Sequence, residues 1–272
     1  MTFQQKLWKA GSVILRAVRP LAGYYLCTGL FMTAGRAIRH MQEQAESFYG
    51  QSSNFYIFWG MIFFWWRMHR RCRKKGITLA EEITLKLPPV KREWKYWLVC
   101  IGMGVSLSFF FTAFVTLLPD RIAGAYRAGA NAPAGAGDRG LLLLMLLVLG
   151  PVTEEVLFRG YMLDRLLTGF DEKKAIWITA GIFAFCHLSP LWMLYSFPVG
   201  LLLSWLAVKK DNVFYPVLVH IGFNLPAVMV LAGGSGGRAS ETPAGILILV
   251  LFGTIGLLLA RLLLLELKRE DI

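Results

Sequence analysis

Apolar residues occur along the chain in eight long runs, separated by short polar or glycine- and proline-containing connections. A helix needs about 20 mostly apolar residues to cross a bilayer, and shorter runs suffice where neighbouring helices or flanking side chains help. The pattern therefore predicts an all-α, polytopic transmembrane helical bundle. The predicted spans are 18–34, 55–66, 96–118, 141 to beyond 157, 175–188, 191–208, 213–232 and 244–260.

The connections between these runs have the composition of turns. Residues 126–140 form a Gly/Ala-rich loop with Pro133, Ser189-Pro190 is a tight break, and residues 233–243 are rich in Gly and Ser. No internal repeat is visible, which argues against a transporter built from two similar halves. We expect residues 1–272 to form a single integral membrane domain.

The composition supports this interpretation. Hydrophobic residues make up 56% of the chain and charged residues 17%, whereas a soluble domain averages about 45–50% and about 25%. Disordered, collagen-like and small disulfide-linked proteins are excluded. The four cysteines show no CxxC spacing, so we interpret them as small buried hydrophobic residues.

The positive charge indicates topology. Lys and Arg number 29 against 17 Asp and Glu, a formal charge of +12. The basic residues concentrate in connections and beside the chain ends, and alternation of the spans puts these clusters on one side: 67–75, 86–95, 173–174, 209–210 and 268–269. The positive-inside rule predicts that this side is cytoplasmic, and both termini are expected to lie on it. No nucleic-acid recognition fold is visible, so no nucleic-acid partner is expected. The N-terminal run does not resemble a removable signal peptide, because Arg16 and Arg19 interrupt it.

Four ionisable residues lie inside the apolar runs, all in the second half of the chain: Glu154, Glu155, His187 and His220. A carboxylate at the centre of a bilayer costs at least about 2.5 kcal/mol, so such residues usually face a polar interior and mark function. At 1.5 Å per helical residue, each of the three helices carries its group roughly 15–20 Å from a basic residue at the cytoplasmic end. Their similar depth predicts one shared site.

Helical spacing predicts how the two glutamates differ. Glu155 and Arg159 are i,i+4 neighbours and can form an ion pair. Glu154 points about 100° away from Glu155 on the helix, so we expect it to be the freer carboxylate and a candidate general base.

Spacing on the other two helices places further polar groups beside this site. His220 and Asn224 are also i,i+4 neighbours, which sets an imidazole and an amide side by side as possible donors to an oxyanion. Phe183 lies one turn before His187 and is expected to pack against its ring.

Three segments resemble the motifs of one known family. Residues 154–159 read EExxxR, 183–187 read FxxxH, and 220–224 read HxxxN. In this order, each on a predicted span, they are similar to the motifs of the CAAX prenyl protease and bacteriocin-processing (CPBP, or Abi) family of intramembrane glutamic endopeptidases. The resemblance covers about residues 141–225, so 141–232 is the expected catalytic core.

The resemblance implies an activity and a role for each motif residue. Glu154 and His187 would activate water, His220 and Asn224 would hold the oxyanion, and Glu155 with Arg159 would support them. It also implies a membrane-associated peptide or protein substrate, an active site open to the cytoplasm, and a bacterial cytoplasmic membrane. No cofactor is implied.

Several alternatives remain open at this stage. The glutamates could lie at a solvent-exposed helix end at the membrane interface, and the histidines could be hydrogen-bonded core residues. Asn224 could form a hydrogen bond that joins two helices. Two His and two Glu could bind zinc, although HExxH is absent. The same fold could also serve as a non-catalytic membrane interaction protein, such as a bacteriocin-immunity factor or a scaffold for a sensor kinase. The sequence does not identify the substrate or the oligomeric state.

Overall fold

The structure is a computed structural model that describes residues 3–42, 53–83, 90–124, 139–233 and 242–270. Within these ranges the chain forms helices and no strands, which confirms the all-α prediction. The main helices are α1 (Phe3–Gln42), α2 (Ser53–Lys74), α3 (Leu79–Glu82), α4 (Val90–Leu117), α5 (residues 139–167), α6 (Glu172–Phe185), α7 (Pro190–Lys210), α8 (Phe214–Gly233) and α9 (Pro243–Glu270).

Each predicted apolar run lies largely in one of these helices, and only positions 118, 186–188 and 213 fall outside them. Three segments are long and apolar enough to cross a membrane: Trp94–Leu117, Gly140–Leu167 and Pro190–Lys210. Shorter apolar segments occupy α8 and α9, at Phe214–Met229 and Pro243–Leu259. Large apolar side chains are exposed on the outer faces of these helices, as expected of surfaces that meet lipid.

Several helix boundaries differ from the prediction, and two predicted loops fall largely outside the described residues. Helix α1 is much longer than the apolar run 18–34, because polar residues extend the same helix in both directions. The break at Ser189-Pro190 is confirmed, since Pro190 starts α7 and cannot donate a backbone hydrogen bond. Most of the loops predicted at 126–140 and 233–243 lies outside the described ranges.

Helix α5 packs against α1, α6, α7 and α8 and changes winding along its length. Two segments, Met145–Leu149 and Val156–Leu163, are π-helical, with α-helical turns before, between and after them. All eight residues of the second π segment are buried. π-Helical turns are rare and frequently occur at functional sites.

The N-terminus of α6 is capped at the polar end of the bundle. The side chain and the backbone N–H of Lys174 both donate hydrogen bonds to the Asp171 carboxylate. These bonds lower the pKa of Asp171 from its usual range. The carboxylate is therefore ionised at neutral pH and stabilises the first turn of the helix that carries Phe183 and His187.

Helices α4 and α8 approach each other closely at two glycines. A Cβ added to Gly104 would collide with the carbonyl oxygen of Val219, and one added to Gly222 would collide with that of Ile101. In a membrane, such small residues allow helix backbones to pack tightly. Because Val219 and Gly222 flank His220, this contact also sets the position of that histidine.

We therefore expect Gly104→Ala to destabilise the protein by about 1–3 kcal/mol, the usual cost of inserting a methyl group into a packed core. Gly102→Ala, two residues away on the same helix, is the matched control because an added Cβ there meets nothing within 4 Å. Thermal unfolding of both variants in detergent measures the difference. Equal melting temperatures for the two variants would contradict the close α4–α8 contact.

Candidate active site

A buried ion pair lies at the centre of the site. The Glu155 side chain is completely buried, and its Oε1 atom lies 2.7 Å from Arg159 Nη1. The pairing expected from the i,i+4 spacing on α5 is therefore present. The same oxygen also lies 2.7 Å from Nδ1 of His220, which comes from α8. One carboxylate oxygen thus joins two helices.

The Arg159 guanidinium is held on several sides. Its Nε donates to Ser204 Oγ and its Nη2 donates to the carbonyl oxygen of Gly200, both at 3.3 Å and both on α7. The guanidinium carbon lies 4.4 Å from the centre of the Phe183 ring, a cation–π contact. The sequence analysis did not assign Ser204 or Gly200 to the site, although their small-xxx-small spacing is a known signal of close helix packing.

His220 lies between the two glutamates. A carboxylate only accepts hydrogen bonds, so Nδ1 of His220 donates to Glu155. Its other ring nitrogen, Nε2, lies 3.9 Å from Oε2 of Glu154. The Glu154 side chain is 38% exposed whereas that of Glu155 is fully buried. This is the division between a held and a freer carboxylate that the helical angles predicted.

His187 follows the last turn of α6. Its Nδ1 lies 2.9 Å from the carbonyl oxygen of Phe183 and must donate there, because a carbonyl only accepts. In the neutral ring, Nε2 therefore keeps a free lone pair. Phe183 packs edge-on against His187 at 4.9 Å between ring centres, as the spacing predicted. Of the two histidines in the motifs, His220 is the one whose ring contacts the Glu154 carboxylate among the described residues.

Asn224 connects α8 to the first π segment of α5. Its side-chain Nδ2 donates to the carbonyl oxygen of Leu146 at 2.8 Å. The interhelical role left open by the sequence analysis is thus observed. An amide nitrogen carries two hydrogens, so this bond leaves one for another acceptor.

Charge is nearly balanced within the cluster. Arg159 offsets Glu155, which leaves Glu154 and His220 as the two groups whose protonation sets the net charge. The second carboxylate oxygen of Glu155 is buried and, among the described residues, has no hydrogen-bond partner. A net charge in apolar surroundings is costly. With Glu154 ionised, the cluster carries one negative charge when His220 is neutral and no net charge when His220 is protonated.

Helices α1 and α2 also reach the site, which the sequence analysis did not anticipate. Trp65 Nε1 on α2 donates to Oγ1 of Thr153 at 3.2 Å, next to Glu154 in the chain. Helix α1 packs against the second π segment of α5, which carries Arg159. A tyrosine or tryptophan in an apolar run carries no periodic signal that distinguishes an interior partner from a lipid-facing position.

No group of three or more His, Cys, Asp or Glu side chains that could hold a metal ion is found in the part of the chain that the structure describes. The site contains a His220–Glu154 contact, a Glu155–Arg159 ion pair and an uncharged amide. These groups can accept a proton, donate hydrogen bonds and stabilise charge. They provide what acid–base chemistry on a polar bond requires.

The fold and the cluster together define a helical integral membrane protein in which ionisable residues of α5 and α8 are in contact. Residues 137–226 match the family model Rce1-like, described as type II CAAX prenyl endopeptidase Rce1-like. The match spans all three motifs and confirms the resemblance to the CAAX protease family for about a third of the chain. No curated protein and no solved structure matches the chain.

Proposed function

We propose that this protein is an intramembrane endopeptidase that hydrolyses a peptide bond in a membrane-associated peptide or protein, with water activated by Glu154. The observation that carries the proposal is the contact between the partly exposed Glu154 carboxylate and His220, whose other nitrogen is held by the buried Glu155–Arg159 pair. The description of the matching family, a CAAX prenyl endopeptidase, supports the reaction class and the substrate class.

The first step is the attack of water on the scissile carbonyl. Glu154, helped by the free Nε2 lone pair of His187, takes one proton from water as the water oxygen bonds to the carbonyl carbon. Accepting that proton neutralises the Glu154 carboxylate.

The second step is the collapse of the tetrahedral intermediate. Its oxyanion accepts hydrogen bonds from the remaining N–H of Asn224 and from Nε2–H of His220, which in this mechanism carries a proton on both ring nitrogens from the start of the reaction. The Glu155 carboxylate, 2.7 Å from Nδ1, stabilises this imidazolium. The carbon–nitrogen bond then breaks, and the proton held by Glu154 passes to the leaving amine.

The proposed topology has eight spans, both termini in the cytoplasm of a bacterium, and an active site open to that side. Contacts among the described residues support one polar end of the bundle. The Glu82 carboxylate on α3 binds Lys75 beyond the end of α2 at 3.1 Å and Arg165 near the end of α5 at 2.9 Å. Lys210 at the end of α7 lies over the Tyr96 ring near the start of α4. In this proposal residues 1–272 form one membrane domain and 141–232 its catalytic core.

The test compares the termini of membrane-associated peptides in cells that carry the wild type or Glu154→Gln. Uncleaved species that accumulate only with Glu154→Gln are expected, and they identify the substrate as well as the activity. An unchanged set of termini, together with a cellular phenotype that Glu154→Gln preserves and deletion abolishes, would instead establish a non-catalytic role as an immunity factor or scaffold.

We also expect hydrolysis to need no metal ion, because the proposed steps use only carboxylate, imidazole and amide groups. The purified protein should keep its full rate after incubation with 1,10-phenanthroline followed by removal of the chelator. Loss of activity that zinc restores would overturn the glutamate mechanism in favour of a metallopeptidase. Dialysis in parallel without chelator controls for loss of folded protein.

A further inference from the structure

Pro151 lies inside α5 between the two π segments, three residues before Glu154, and its side chain is fully buried. A proline inside an α-helix has no N–H to donate, and its ring collides with the carbonyl four residues earlier, here that of Leu147. The first π segment, Met145–Leu149, contains this carbonyl. A wider turn moves the carbonyl away from the ring, so Pro151 gives a physical reason for the π winding.

The proline also leaves one carbonyl of that segment without its regular backbone donor. In an α-helix the Leu146 carbonyl accepts a hydrogen bond from Gly150, and in a π-helix it accepts one from residue 151. The N–H of Gly150 donates to Met145 instead, and Pro151 has no N–H. Within the described helix α5, neither regular donor therefore serves Leu146.

The side chain of Asn224 supplies a donor from another helix. Its Nδ2 lies 2.8 Å from the carbonyl oxygen of Leu146, across 78 residues of the chain. A backbone carbonyl in apolar surroundings costs free energy when it has no partner. The absence of an N–H at Pro151 is therefore the reason that this acceptor is open to Asn224.

The same bond fixes the direction of the second Nδ2–H of Asn224. A side-chain amide is planar and its nitrogen carries two hydrogens, so holding one of them sets the direction of the other. Asn224 lies one turn after His220 on α8, and Nδ1 of His220 bonds to Glu155 at 2.7 Å. Both proposed oxyanion donors of α8 are thus held by a polar group of α5.

We infer that Pro151 is a positioning residue: it leaves the Leu146 carbonyl open, and this carbonyl holds Asn224 so that its second N–H points at the oxyanion. The inference rests on the proposed function for its effect on catalysis. Its structural part, the dependence of the Asn224–Leu146 bond on the missing N–H, stands independently.

Nuclear magnetic resonance tests the structural part without any assay of activity. The chain has four asparagines, at positions 54, 131, 212 and 224. Labelling with [15N]asparagine therefore gives four pairs of side-chain signals, and Asn224→Ala identifies the pair of interest. Pro151→Ala restores an N–H that either bonds to Leu146 or lets the segment return to α winding, with Gly150 as the donor. In both cases the carbonyl gains a helical donor, and the bonded proton of Asn224 should shift upfield as its hydrogen bond weakens.

Two further variants separate the effect of the N–H from that of packing. Pro151→Val restores the same N–H on a larger side chain, so it should shift the Asn224 signal in the same direction. Pro20→Ala removes a proline from the interior of α1 and should leave the signal unchanged. Melting temperatures of all the variants establish that folded proteins are compared.

Kinetics test the catalytic part. With a farnesylated CAAX peptide as the probe, Pro151→Ala should lower kcat by about 2- to 10-fold and leave KM unchanged, the effect of weakening one hydrogen bond. In an Asn224→Ala background the same change should have no further effect, because the group through which Pro151 acts is gone. A packing defect alone would lower kcat equally in both backgrounds.

The outcomes separate this inference from the proposed function. An unchanged Asn224 signal in Pro151→Ala, or a shift in Pro151→Ala that Pro151→Val does not show, would overturn the structural part. A shifted signal with an unchanged kcat, or an equal loss of kcat in the presence and absence of Asn224, would overturn the positioning role. A wild type with no peptidase activity, combined with a shifted signal in both variants, would contradict the proposed function and the catalytic role of Pro151 but not its effect on the Asn224–Leu146 bond.

Discussion

Glu154→Gln is expected to lower kcat for peptide hydrolysis by about 10²- to 10⁴-fold, the usual contribution of a positioned general base. Glutamine has nearly the same size and can still accept a hydrogen bond from His220, but it cannot take a proton from water. The folded structure should survive because the side chain is 38% exposed. Steady-state kinetics on purified protein in lipid nanodiscs, with a farnesylated CAAX peptide, measures the loss.

Glu172→Gln provides the matched control for this experiment. Glu172 is an exposed glutamate in the first turn of α6, so the same chemical change is made outside the cluster. Its kcat and KM should equal those of the wild type. Equal rates for Glu154→Gln and the wild type would refute Glu154 as the base. Equal losses in both glutamine variants would show that the assay reports on overall charge or folding.

The second large effect is expected from Arg159→Met, which should destabilise the protein by about 3–5 kcal/mol. Removing one partner of a buried ion pair leaves the other charge uncompensated, and that penalty dominates. Here the remaining charge is the Glu155 carboxylate, which is completely buried. Unfolding by titration with sodium dodecyl sulfate in mixed micelles measures the change in free energy.

Two further variants distinguish this electrostatic penalty from lost packing. The double variant Glu155→Gln/Arg159→Met carries no unpaired charge at these positions, so it should recover a substantial part of the lost stability. Arg165→Met removes a more exposed arginine of the same helix, whose ion pair with Glu82 lies at the rim, and should cost about 1 kcal/mol or less. A double variant no more stable than Arg159→Met would contradict the electrostatic explanation.

Local features of the site were predictable from the sequence because helical geometry is regular. The Glu155–Arg159 pair and the packing of Phe183 against His187 both follow from i,i+4 spacing. The different exposure of Glu154 and Glu155 follows from the angle of about 100° between successive residues. The predicted apolar runs fall almost entirely within helices, because continuous hydropathy indicates a helix in lipid.

Contacts between helices were not predictable in the same way. Helices surrounded by lipid are apolar on most faces, so periodicity does not show which face meets which neighbour. His220 binds Glu155 across 65 residues, and Arg159 binds Ser204 across 45. The π segments of α5 also change which side chains face inward, and no simple hydropathy pattern encodes them.

The sequence by itself determined the helical class, the apolar segments, the three motifs and the local pairing within α5, because each depends on composition or on neighbours along one helix. Only the tertiary structure decided that His220 joins both glutamates, that Asn224 binds the π segment, and that Trp65 of α2 bonds to Thr153 beside Glu154. These contacts depend on the shapes with which helices pack, as at Gly104 and Gly222. Close packing of this kind depends on both helix surfaces together, so it cannot be deduced from the sequence of either helix alone.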